Sequence, residues 1–116
     1  MRIVLPYPPA ALWPNKRPHW SAKARATRSY RHWAKLAANG AQPGKVHLVF
    51  CPRPLGPKPD LDNCVAAFKA GFDGLADAMG INDRDLRFSF EMGDRCKDGA
   101  VIVEITPVDE LGANRG

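Results

Sequence analysis

No aspartate or glutamate occurs in the first 59 residues of this 116-residue chain, a stretch that holds eleven Lys and Arg. Residues 60 to 116 hold all twelve acids and six Lys and Arg, so the formal net charge of +5 understates the asymmetry. A half so one-sided suits a polyanionic partner, and nucleic acid is the natural one, because a cationic surface gains affinity by releasing counterions condensed on phosphates. Long apolar runs are also missing. None approaches the ~20 residues needed to span a bilayer, and no cationic flank leads into a long apolar stretch at the N-terminus. The expectation is a cytoplasmic protein with no membrane partner. Cysteine is scarce: Cys51, Cys64 and Cys96 are odd in number and lack CxxC or Cys/His spacing, which argues against a zinc site or a disulfide framework and for reduced, buried thiols. Internal repeats are absent, and a chain of this length makes one domain that buries only about two thirds of its unfolded surface. With so modest a core, a pocket shared between two subunits is in keeping.

Among what is present, Arg2 to Leu5 is a β-prone run stopped by Pro6, and Pro8, Pro9, Pro14 and Pro18 hold the next segment out of helix and ladder as an ordered or semi-ordered loop. Ser21 is an N-cap candidate for a helix to about Ala38, closed by Asn39-Gly40. Tyr30, Trp33, Ala34 and Ala37 recur at helical spacing and mark its core side, while Lys23, Arg25, Arg28, Arg31 and Lys35 make it basic and amphipathic. Lys45 to Cys51 alternates as a strand, and a Pro/Gly-rich loop follows to Pro59. Val65, Phe68, Phe72, Leu75 and Met79 then step by three and four residues along one further helix, with Gly80 at its C′ position. Leu86 to Met92 and Ala100 to Ile105 alternate on either side of Lys97-Asp98-Gly99, which predicts an antiparallel hairpin. Residues 108–116 are expected to form a flexible C-terminal tail behind a single domain over 1–107. The fold class is α/β in the α+β sense, with a mixed or antiparallel sheet of about four strands and two main helices.

The acidic half opens with Asp60-Leu61-Asp62-Asn63, directly behind Lys58-Pro59. Hard divalent ions such as Mg²⁺ take one or two carboxylates plus water and substrate phosphate, so two aspartates one residue apart can begin a metal site. They serve equally as an N-cap and a first-turn acid facing the helix dipole. On a straight helix Asp62, Lys69 and Asp73 fall within roughly 40° of one another. Lys69, the only lysine between Pro59 and Met92, could therefore hold a phosphate or pair with Asp73 at i+4. Asp83 and Asp85, in Ile81-Asn82-Asp83-Arg84-Asp85, are further ligand candidates or plain turn residues. Trp13, Trp20, Tyr30 and Trp33 lie among the cations, where an aromatic can stack on unpaired bases, although Tyr30 and Trp33 fit a core role better. His19, His32 and His47 show no catalytic pairing.

Most of residues 3 to 105 resembles the RusA family of Holliday-junction resolvases. The likeness rests on Leu5-Pro6 to Asn15, on Lys58-Pro59-Asp60-Leu61-Asp62-Asn63, on Lys69 with Asp73-Gly74-Leu75, and on Gly80-Ile81-Asn82-Asp83. It implies a homodimer that binds four-way DNA junctions and makes paired, Mg²⁺-dependent nicks, with Mn²⁺ as a substitute ion. Three aspartates and a lysine are required in that family. By position the aspartates are Asp60, Asp62 and Asp83, with Asp85 as the alternative third because Arg84 separates the two. The family's lysine position corresponds to Ala66 here, and Lys69 lies one turn further along. Lys16, Arg17, Lys23, Arg25, Arg28, Arg31 and Lys58 would hold the DNA backbone without reading bases. Two other functions stay open: a non-catalytic DNA-binding protein with an incomplete metal site, and a metal-dependent hydrolase of nucleotides or small phosphates.

Overall fold

Two strands, β2 (Gly44–Cys51) and β4 (Ala100–Pro107), form the middle of the sheet in a computed structural model that describes residues 1–107. The expected tail, 108–116, lies outside the described residues. Alternation puts Val46, Leu48 and Phe50 of β2 and Val101, Val103 and Ile105 of β4 on one buried face. β1 (Arg2–Pro6) pairs antiparallel with β4, and β3 (Phe88–Met92) pairs parallel with β2, giving the order β1-β4-β2-β3. The sheet is therefore mixed and four-stranded, and with three α-helices it makes a small α+β domain.

The expected hairpin does not form, because β2 stands between β3 and β4. Direct pairing of β2 with β4 aligns the two longest strands, with Leu48 opposite Val103 and Phe50 opposite Val101. The segment after β3 instead crosses the end of β2, where Gly93 N–H donates to Phe50 O (2.9 Å) and Cys96 N–H to Pro52 O (2.9 Å). The Lys97-Asp98-Gly99 turn is still used, with Gly99 at φ +72°, but it ends this crossing.

The basic helix is α1 (Trp20–Ala37), and its cap is His19, whose Nδ1 accepts from Ser21 N–H (3.2 Å), rather than Ser21 itself. Tyr30 and Ala34 are its buried residues, and the C-cap Ala38 is buried behind them. Trp33 and Ala37, expected in the core, are exposed, Trp33 by 45%, since the crossing with the next helix turns α1 onto Ala34. The single helix expected after Pro59 is two, α2 (Leu61–Ala67) and α3 (Lys69–Met79), joined at Phe68. There the Phe68 N–H is shared between Cys64 O (3.0 Å) and Val65 O (3.2 Å), and the ring swings inward over Gly71. It meets Tyr30, Phe50 and Phe72 edge-on, at centroid distances of 5.7, 6.0 and 5.0 Å. Gly74 is where α1 crosses α3: a Cβ there would run into Arg31 O and come within 2.7 Å of Ala34 Cβ. Both glycines thus serve close packing within the chain. Among the described residues no helix is long and apolar enough to cross a membrane. Cys51, Cys64 and Cys96 are free thiols, the first two buried and Cys96 partly so.

Candidate functional site

The proline-rich loop after β2 delivers the chain to α2 with Asp60 at the N-cap position, φ −69° and ψ 148°. Its carbonyl accepts the first helical bond, from Cys64 N–H at 3.1 Å, yet its carboxylate caps nothing. Capping is used elsewhere in the molecule, by His19 on α1 and by Asn82 Oδ1, which accepts from Arg84 N–H (3.1 Å). Asp62, in the first turn of α2, is exposed like Asp60, and among the described residues neither carboxylate enters an ion pair. Cys64 lies below them, its thiol pushed up to about 11, first by burial and then by the Asp60 charge.

Lys69, the first residue of α3, is exposed, and no salt bridge joins it to Asp73. It lines a hollow of about 200 Å³ with Ala66, Asp73 and, from α1, Lys23 and Thr27. Ala66 and Lys69 thus border the same space although the helix bends between them. A second hollow, of about 310 Å³, carries Asp83 and Asn82 beside Arg31, Asp73 and Asp77. Asp73 borders both, a bridging place that its pairing with Lys69 on paper concealed. Asp83 therefore stands with Arg31 at the far end of α3, while Asp85 borders neither hollow. Among the described residues no three His, Cys, Asp or Glu side chains gather closely enough to hold a metal by themselves.

Lys16, Arg17, Lys23, Arg25, Arg28, Arg31 and Lys58 are all exposed. Arg31 is engaged: its Nε and Nη2 donate to the two Asp77 oxygens at 2.7 and 3.0 Å, clamping α1 to α3. This pair holds the Asp77 carboxyl below its ordinary value, chiefly through the hydrogen bonds from Arg31. A depressed carboxyl contributes stability that is complete above the unfolded value, about 3.9, and is lost as pH falls through the folded one. Asp77→Asn should therefore cost up to about 1 kcal/mol at pH 7, the range for a surface pair, and less at pH 2. Urea unfolding at the two pH values checks this.

A third concavity was not foreseen. Tyr7, Trp13 and Lys16 from the first proline-rich segment face Arg53, Leu55 and Pro59 from the second across about 260 Å³. The two segments are distant in sequence, so only the prolines that stiffen each of them could have been read as a signal.

No family model matches the chain. An uncharacterized protein of Xylella fastidiosa is similar to it, 34% identical over 125 residues that span 98% of this chain and 81% of that protein. At that identity over nearly its whole length, the chain belongs to the same family as the Xylella fastidiosa protein.

Proposed function

We propose that the chain is a Mg²⁺-dependent, structure-specific endodeoxyribonuclease that resolves four-way DNA junctions, as its resemblance to the RusA family implies. The observation that carries this is the uncommitted Asp60 carboxylate, which holds a capping position without capping and stands exposed with Asp62. No side-chain capping bond occupies the Asp60 carboxylate, which leaves its oxygens open. Two free carboxylates suit an oxygen-seeking ion that keeps waters and takes further ligands from substrate phosphates, so Asp60 and Asp62 fit Mg²⁺, with Mn²⁺ as a substitute. A divalent ion bound there supplies activation of water and stabilisation of the leaving oxyanion. Lys69, with Lys23 across the hollow, offers positive charge to a backbone phosphate, and the exposed cations of the first half hold the duplex arms without reading sequence. In a homodimer two such sites would face a nearly two-fold substrate, and the exposed Trp33 and Leu36 are apolar surface that a partner would cover. Its place of work is the cytoplasm.

Lys69→Ala is expected to lower the cleavage rate constant about a hundredfold, as loss of one transition-state donor does. Because Ala66 borders the same hollow, adding Ala66→Lys to that variant should restore most of the rate. Unchanged single-turnover cleavage by Lys69→Ala would reduce Lys69 to an ordinary surface cation.

A second reading, a DNA-binding protein that no longer cuts, draws on the position of Asp83 in the Arg31 hollow, apart from a three-ligand cluster. Incubating a synthetic four-way junction with Mg²⁺ or Mn²⁺ separates the two. Nicking supports the nuclease, and tight, salt-sensitive binding without nicking supports the alternative.

A further inference from the structure

We propose that the cleft between Tyr7, Trp13 and Arg53 binds an unpaired nucleobase at the DNA branch, beside the Asp60–Asp62 carboxylates; the proposal rests on the nuclease reading and adds a subsite to it. Both walls are fixed in advance. On one, a single 3-10 turn at Ala10–Leu12 presents the indole, and Trp13 Nε1 donates to Pro8 O (2.9 Å), which sets the plane of the ring. Tyr7 lies 5.1 Å from Trp13 between centroids, tilted by 36°, and backs onto Gly99, where a Cβ would come within 2.8 Å of Tyr7 Cγ. On the other wall, Arg95 Nη1 donates to Arg53 O and Gly56 O, both at 3.0 Å, and so pins the loop between Pro52 and Pro59.

The lining specifies the ligand. Aromatic faces and proline rings offer stacking surface to any base, which makes such recognition sequence-tolerant. The Arg53 guanidinium lies 5.4 Å from the Tyr7 ring centre, where it can add a cation–π contact or take the phosphate attached to the base. Lys16 adds a second cation and Asn15 an amide able to meet a base edge. A volume of about 260 Å³ falls below the roughly 300–1,000 Å³ of typical small-molecule sites, so it suits one ring system and no duplex.

The position next to the carboxylates follows from the chain itself. Pro59, which lines the cleft, directly precedes Asp60. Burial raises the Tyr7 hydroxyl to about 12. Tyr7 thus stays neutral at ordinary pH and able to donate to a base.

Equilibrium binding in EDTA, where no cleavage occurs, tests this with two DNAs: a fork carrying 2-aminopurine unpaired at the branch, and a fully paired duplex with 2-aminopurine at the same place. Wild-type protein is expected to quench the fork's fluorescence and to bind the fork about tenfold more tightly than Trp13→Ala does, a loss in line with one stacked base. Duplex affinity should agree within about twofold between the two proteins. Trp13→Phe should keep most of the fork affinity, and Arg53→Ala, altered at an exposed side chain, should lose several-fold more on the fork than on the duplex. These two variants decide the matter if Trp13→Ala fails to fold. Equal fork binding and quenching by wild type, Trp13→Ala and Arg53→Ala would overturn the subsite while leaving the nuclease reading intact. Absence of binding by wild type to either DNA would remove that reading, and the subsite with it.

Discussion

Asp60→Asn is expected to lower junction cleavage by at least about a thousandfold while leaving junction affinity within about twofold of wild type. The argument turns on what Asp60 does not do. Its carboxylate caps no amide and, among the described residues, pairs with no cation, so the isosteric amide removes charge and a metal-holding oxygen without disturbing the fold. Loss of a held divalent ion forfeits several kcal/mol of transition-state stabilisation, and each 1.4 kcal/mol is tenfold in rate. Were Asp60 simply a cap, the exchange would be silent, because Asn and Asp are about equal at that position. Gel-shift affinity and single-turnover cleavage on the same junction measure the two halves separately. Cleavage within tenfold of wild type would refute the assignment.

Phe68→Ala is expected to have the largest effect on stability, a loss of about 3–5 kcal/mol, the range for emptying a buried aromatic position. Phe68 is fully buried and, among the described residues, is the one ring that touches α1 through Tyr30, the sheet through Phe50, and α3 through Phe72. Collapse cannot readily refill the space. Tyr30 is anchored by donating its hydroxyl to Pro6 O at 2.6 Å, and Gly71 has no side chain to offer. Since small domains are stable by only about 5–15 kcal/mol, the variant should melt roughly 10–20 °C lower. A Tm within about 3 °C of wild type would show that the aromatic cluster does not hold the helices to the sheet.

The same residue explains much of what was legible in the sequence. Phe68, Phe72, Leu75 and Met79 could be placed in the core because a stripe at three and four residues survives a local bend. The bend itself could not be read, since it depends on Phe50 and Tyr30 arriving from other elements. Strands β1, β2 and β4 were visible in their alternation and in the prolines that stop them. Their pairing was not: Lys97-Asp98-Gly99 is good turn chemistry for a hairpin, and burial of Leu48 and Phe50 against Val101 and Val103 outweighed it. At the candidate site, Asp60 and Asp62 were legible as residues and their freedom was not, because a carboxylate at an N-cap looks the same in sequence whether or not it caps. Trp33 misled in the opposite sense. Its spacing from Tyr30 placed it inside, and the crossing at Gly74 turned Ala34 there instead.

The most direct measurement compares wild-type protein on a synthetic four-way junction and on a linear duplex of the same sequence, with Mg²⁺ and with EDTA, mapping every nick on all strands. The account predicts paired nicks in strands of like polarity, confined to the junction and dependent on the metal. A junction bound tightly yet left intact with both Mg²⁺ and Mn²⁺, or nicks scattered equally along the linear duplex, would contradict it.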